Sequence, residues 1–141
     1  MTLRYFLTII TALALFACNA QTSDKIKTIS ATDYSENINN NKNPQIIDVR
    51  TPNEYSTGHI NNAKNIDWLG DDFEEQTKVL DVKKPVYVYC KSGNRSSKAA
   101  KKLEELGFTQ IYELRGGILE WSSTYPTTNA STTVIENGDK E

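Results

Sequence analysis

Hydrophobic and polar positions divide the 141-residue chain into three stretches. The first is an uncharged, largely apolar run from Phe6 to Ala17, preceded by one positive charge at Arg4. The second, residues 26–125, alternates short apolar runs with helical patterns. The third, residues 126–141, is rich in Thr, Asn, Ser and charge and predicts a disordered tail.

The middle stretch carries the fold. Ile26 and Ile29 predict a short first strand. Ser30 or Thr32 caps a helix running to about Asn40, with Glu36 placed for a capping box around Thr32 and Asp33. Residues 39–44 are turn chemistry. The run from Gln45 to Val49 reads as a buried strand. Thr51 then caps a short helix with Pro52 at its first position. Lys64 to Ile66 gives another short strand, and Asp71 to Leu80 a helix. Val86 to Tyr89, after Pro85, is the clearest strand, β-branched and aromatic throughout.

Cys90 ends that strand, and residues 91–94 lead into a helix from about Arg95 to Leu106. Ala99, Ala100, Leu103 and Leu106 share one face of it, and Gly107 stops it. Ile111 to Leu114 is the last strand, and Gly116 and Gly117 open a short helix through Trp121. Strands alternating with helices predict an α/β layered domain with a central, mostly parallel sheet flanked by helices.

The first stretch has the form of a secretory signal: a charged start, a short apolar core and a small residue before the cut. It is shorter than the about 20 residues a membrane span needs. Its end, Leu15-Phe16-Ala17-Cys18, resembles the lipobox of bacterial lipoproteins, with Phe16 bulkier than usual at the second position. That resemblance implies a signal peptide over residues 1–17 and a lipidated Cys18 as the mature N-terminus. Residues 18–25 would be a tether. The expected location is the cell envelope, exported and lipid-anchored on the periplasmic side or the outer surface. The alternative is ordinary cleavage near Ala17 or Ala20, leaving a free secreted protein.

Composition adds limits. Charged residues make up 24% of the chain, and net charge is −2 with no basic stripe outside one short helix, so nucleic acid is a poor partner. The cysteines are Cys18 and Cys90. A disulfide between them would suit an oxidising compartment, but each sits in a context that explains it separately. One histidine and one free cysteine make no metal site, and no cofactor is indicated.

The chemistry concentrates in Cys90-Lys91-Ser92-Gly93-Asn94-Arg95-Ser96, between a strand and a helix. A parallel α/β sheet places its ligand site at the carboxyl ends of its strands. A cysteine there faces a helix N-terminus and the backbone N–H groups of a tight loop. Lys91 and Arg95 add positive charge. These features favour thiolate and predict a depressed pKa. The competing reading is an inert buried cysteine ending a core strand, but the polar loop suits an anion cradle better than an apolar lining.

Four motifs in order resemble the rhodanese family, from about Ile29 to Trp121. They are Ile47-Asp48-Val49-Arg50 with Glu54-Tyr55, then Gly58-His59-Ile60 with Ala63 and Asn65-Ile66, then Cys90 to Ser96, and finally Leu114-Arg115-Gly116-Gly117 with Trp121. The resemblance implies a three-layer domain and a sulfurtransferase. Cys90 would take the outer sulfur of a small anionic donor such as thiosulfate, hold it as a persulfide and pass it to a thiophilic acceptor. The loop residues Lys91, Ser92, Gly93, Asn94, Arg95 and Ser96 would bind the persulfide, with Lys91 and Arg95 steering the donor. Asp48, Arg50, Glu54, His59, Gly116 and Gly117 would be structural support, and Trp68 and Trp121 packing.

Two other readings stay open. Related phosphatases and arsenate reductases also cradle an anion beside a cysteine, but with five residues before the arginine. Here four residues, Lys91 to Asn94, separate Cys90 from Arg95, a loop sized for one sulfur. The second is a carrier or binding module of the envelope with little turnover. Outside the cytoplasm a reactive thiol lacks a glutathione pool and risks overoxidation. A reducing or acceptor protein is therefore an expected partner.

Overall fold

The computed structural model describes residues 23–129. Five strands form one sheet in the order β1-β5-β4-β2-β3, with β1 Ile26–Ile29, β2 Gln45–Asp48, β3 Lys64–Asn65, β4 Val86–Tyr89 and β5 Ile111–Leu114. Every pairing is parallel. The helices are α1 Ala31–Asn39, α2 Pro52–Ser56, α3 Phe73–Thr77, α4 Asn94–Glu105 and α5 Gly117–Trp121.

Strand β4 shows how the layers arise. Successive side chains of a strand point to opposite faces. Val86, Val88 and, just past the strand, Cys90 pack with Ala99, Ala100 and Leu103 of α4. Tyr87 and Tyr89 pack with Ala31, Tyr34 and Ile38 of α1 and with Ile118 and Trp121 of α5. Each face of the sheet therefore has its own core, and the strand that carries Cys90 is central. Cys90 continues the face covered by α4.

Several elements sit where the residue pattern puts them, and two differ in detail. The cap of α1 is Ser30, whose hydroxyl accepts the Asp33 N–H. The capping box expected around Thr32 does not form, because a helix beginning at Ala31 turns Ala31, Tyr34 and Ile38 onto the sheet. The helix expected from Asp71 to Leu80 spans only Phe73–Thr77. Only Phe73 and Thr77 turn inward there, Val79 is 65% exposed, and the chain continues in tighter turns such as Leu80 N–H to Thr77 carbonyl.

Both expected domain limits also move outward. Ser23 donates to the Glu104 carboxylate at 2.6 Å and the Lys25 carbonyl accepts the Ile111 N–H. Residues 23–25 are thus fastened to the domain, not part of a free tether. Beyond Tyr125, the Pro126 carbonyl accepts the Trp121 indole N–H, and Thr128 exchanges both backbone hydrogen bonds with His59. The chain expected to loosen at Pro126 is held as far as Thr128 through this strap, an isolated antiparallel bridge to His59. Cys18, the expected signal segment and residues 130–141 lie outside the described residues.

Candidate active site

Cys90 leaves β4 and the chain bends at once into α4. Gly93 takes φ +111°, a conformation open to glycine, and its N–H points at Cys90 Sγ from 3.1 Å. Sγ lies 3.5 Å from the Ser96 hydroxyl, on the first turn of α4. Burial pushes the Cys90 thiol up, but hydrogen bonds from the Ser96 side chain and from the backbone of Ser96, Gly93 and Ser92 bring it below the ordinary thiol value. The residue is only 1% exposed. The exposed residues of the loop above it are Lys91, Ser92 and Asn94.

The loop is held from below by the last turn of the fold. Ile118 N–H donates to the Cys90 carbonyl at 2.9 Å and Leu119 N–H to the Lys91 carbonyl at 3.2 Å. This brings Gly117 so close that a Cβ there would sit 2.5 Å from both carbonyl oxygens. Gly117, with φ +59°, is what lets α5 dock under the loop, while Gly116 forms the preceding turn.

Arg95 differs from its expected part. Its guanidinium forms a two-pronged pair with Glu54, both bonds 2.7 Å. Glu54 also closes the capping box of α2 with Thr51. The Arg95 hydrogen bonds, opposed by partial burial and helped by Thr51, hold the Glu54 carboxyl down at about 2. A guanidinium engaged on two prongs has its paired donors committed to one carboxylate. Arg95 instead ties the start of α4 to α2, and Lys91 remains the exposed cation at the rim.

Asp48 and Arg50 form a buried forked pair, with Arg50 Nη2 2.6 Å and Nε 2.9–3.0 Å from the carboxylate. Arg50 also donates to the Gly58 carbonyl. Its guanidinium carbon lies 5.8 Å from the centre of the Tyr89 ring, on the sheet face opposite Cys90. The pair thus braces β4 through Tyr89 and does not touch the sulfur. His59 stacks on Tyr55, with Nδ1 3.0 Å from the Tyr55 carbonyl, and helps hold the strap. Trp68 packs edge-on against Phe73, and Trp121 is buried.

One residue escaped the reading of the sequence. Glu113 of β5 is only 6% exposed, and its carboxylate lies 2.9 Å from the Ser96 hydroxyl and 3.4 Å from the Thr28 hydroxyl. The signal was present: period two puts Glu113 on the same face as Ile111, where the neighbouring strand offers Val88. A charge in a core position of a central sheet is rare and marks Glu113 in the sequence.

Comparison with known proteins agrees with this geometry. The model of the rhodanese-like domain family matches residues 30–124. The Bacillus subtilis protein YqhL is 43% identical over 77 residues, which cover 55% of this chain and 60% of that relative. The thiosulfate sulfurtransferase GlpE of Coxiella burnetii is 37% identical over 86 residues, 61% of this chain and 78% of that one. The crystal structure of a rhodanese-related protein from Thermoplasma volcanium superposes with a TM-score of 0.63 at 37% identity, covering 72% of this chain and 97% of its own. With more than half its length matched by the family model, the chain belongs to the rhodanese-like domain family.

Proposed function

We propose that this protein is a sulfurtransferase that moves a sulfane sulfur from a donor such as thiosulfate to a thiophilic acceptor through a persulfide on Cys90. The observation that carries the reading is the Cys90 sulfur at the mouth of α4, with the Gly93 N–H 3.1 Å away and the pKa drawn down by loop hydrogen bonds. The GlpE relatives, named for this activity, support it.

The chemistry balances without an oxidant. The thiolate attacks the outer sulfur of thiosulfate, a new sulfur–sulfur bond forms, and the old one breaks with its electron pair leaving on sulfite. Cyanide or another thiophile then attacks the outer sulfur, and Cys90 leaves as thiolate. Backbone N–H groups of the loop offset the negative charge held on the persulfide. Lys91 draws the anionic donor to the rim. Phosphate or arsenate chemistry is disfavoured, because the Arg95 fork that would grip a tetrahedral oxyanion is engaged by Glu54.

The test is thiosulfate with cyanide. Wild type should release thiocyanate and Cys90→Ser should release none. Equal release from both would remove Cys90 from the reaction. A sulfur retained on Cys90 without thiocyanate would make the protein a persulfide carrier, and turnover of p-nitrophenyl phosphate would point to a phosphatase.

The lipobox-like residues support a second, separate proposal: Cys18 carries a lipid that holds the domain at the bacterial envelope. A protein partner that reduces Cys90 or accepts its sulfur fits that setting. Radiolabelled fatty acid should enter the wild type and not Cys18→Ala; label in both, or in neither, would refute the anchor.

A further inference from the structure

A carboxylate buried in a core without a cation is costly. Among the described residues no salt bridge engages Glu113. Its partners are hydroxyls, Thr28 on one oxygen and Ser96 on the other. Ser96 is itself fully buried and touches Cys90 Sγ. A continuous chain therefore runs from sulfur to carboxylate: 3.5 Å from Sγ to the Ser96 oxygen, then 2.9 Å to Glu113 Oε1.

We propose that Cys90, Ser96 and Glu113 form a proton relay in which Glu113 stores the proton that Cys90 gives up on becoming a thiolate. The proposal rests on the reading of Cys90 as the nucleophile. A serine hydroxyl has one hydrogen to donate, so the chain has two arrangements. In the first, the Cys90 thiol donates to Ser96 and Ser96 donates to the Glu113 carboxylate. In the second, the protonated Glu113 donates to Ser96 and Ser96 donates to the Cys90 thiolate. Passing between them breaks the S–H bond and forms an O–H bond on Oε1, while Ser96 exchanges one proton for another. The trio carries one negative charge throughout, and no electrons leave it. The Gly93 carbonyl, 3.1 Å from the Ser96 oxygen, is the competing acceptor.

The surroundings suit both arrangements. Burial raises the Glu113 carboxyl above its ordinary value, against hydrogen bonds from Ser96 and Thr28 and the charge of Lys101. The charged groups that line one open depression with it are Lys101, Glu104 and Glu105 of α4, and β1 adds the Thr28 hydroxyl and no charge. On the sulfur side the nearby cations are Lys91 at the rim and Arg95, paired to Glu54. The consequence for sulfur transfer is that a dianionic donor meets a thiolate beside a neutral carboxyl, not two negative charges. Glu113 is a positioning residue here, since it acts through Ser96.

Iodoacetamide alkylation of the full-length protein, read on the Cys90 peptide by mass spectrometry across mildly acidic to alkaline pH, tests the relay. Coupled groups titrate in two macroscopic steps. Wild type should therefore gain reactivity in two steps. Glu113→Gln should show one step, with its midpoint about one pH unit below the wild-type upper step. Ser96→Ala should also show one step, and adding Glu113→Gln to it should shift that step little. An unchanged profile in Glu113→Gln would overturn the relay. An equal shift with and without the Ser96 hydroxyl would also overturn it, since Glu113 would then act as a charge through space. If Glu113→Gln does not fold, Ser96→Ala decides: loss of the two-step profile supports the relay, and its persistence overturns it. Thiocyanate release by the wild type is scored separately. If it is absent while the alkylation shifts hold, the sulfurtransferase reading falls and the relay stands; the reverse pattern sinks the relay alone.

Discussion

At the scale of single residues, a few close contacts hold the loop and the strand that carries Cys90. Gly117→Ala places a methyl 2.5 Å from the Cys90 and Lys91 carbonyls, so the loop must move. Misplacement of about an ångström is worth roughly a hundredfold in rate, and thiocyanate release should fall on that scale while the protein still folds. Arg50→Ala leaves Asp48, which has no exposed surface, as a buried charge without its partner. Urea unfolding should show a loss of about 3–5 kcal/mol, with alkylation of Cys90 in the remaining folded protein little changed, because Arg50 braces the opposite face.

Cys90 itself was legible in the sequence because a strand, a cysteine and a polar glycine-containing loop occur in one continuous run. The buried register of Glu113 was legible as well, but its link to the sulfur was not, because that link runs through Ser96, 17 residues away along the chain. The partner of Arg95 was hidden for a similar reason: nothing local tells that Glu54, 41 residues earlier, takes its guanidinium.

At the scale of elements, two ties hold in place the loop-bearing helix and the segment that follows α5 as far as Thr128. The Glu54–Arg95 fork joins α2 to α4. Glu54 is held at about 2 against an ordinary 4.5, so its contribution to stability is full above about 4.5 and is lost as pH falls through that interval towards 2. Glu54→Gln should lower stability by about 1 kcal/mol at neutral pH, since both side chains are partly exposed. Its stability should also fall less steeply than wild type over the acid range, as read by urea midpoints at successive pH values. An acid profile parallel to wild type would remove the fork from the account of stability.

The second tie is the strap. Thr128→Pro deletes the N–H that reaches the His59 carbonyl at 2.8 Å. It should lower the thermal midpoint by a few degrees, consistent with about 1–2 kcal/mol for a disturbed pair of backbone bonds. Elements with a strong local period, such as β4 and α4, could be read directly from the residues. The shortness of α3 could not, because its end depends on how few of its side chains find the core.

At the scale of the whole molecule, the order β1-β5-β4-β2-β3 makes β4 central, flanked by β5 on one side and β2 on the other. One neighbour supplies Glu113 and the other leads into Arg50 and Glu54, so both flanks of the cysteine strand contribute to its surroundings. The alternation of strands and helices already implied this layered class, whereas the strand order rests on pairings between distant segments. The 23–129 body accounts for the candidate chemistry, and the lipobox-like Cys18 gives it a proposed address.

The most direct test of the central claim is the intact mass of reduced protein after exposure to thiosulfate and removal of excess reagent. Wild type should gain the mass of one sulfur atom, located on the Cys90 peptide and stripped by cyanide, and Cys90→Ser should gain none. A wild-type mass that does not change, or the same sulfur gained by Cys90→Ser, would contradict the account.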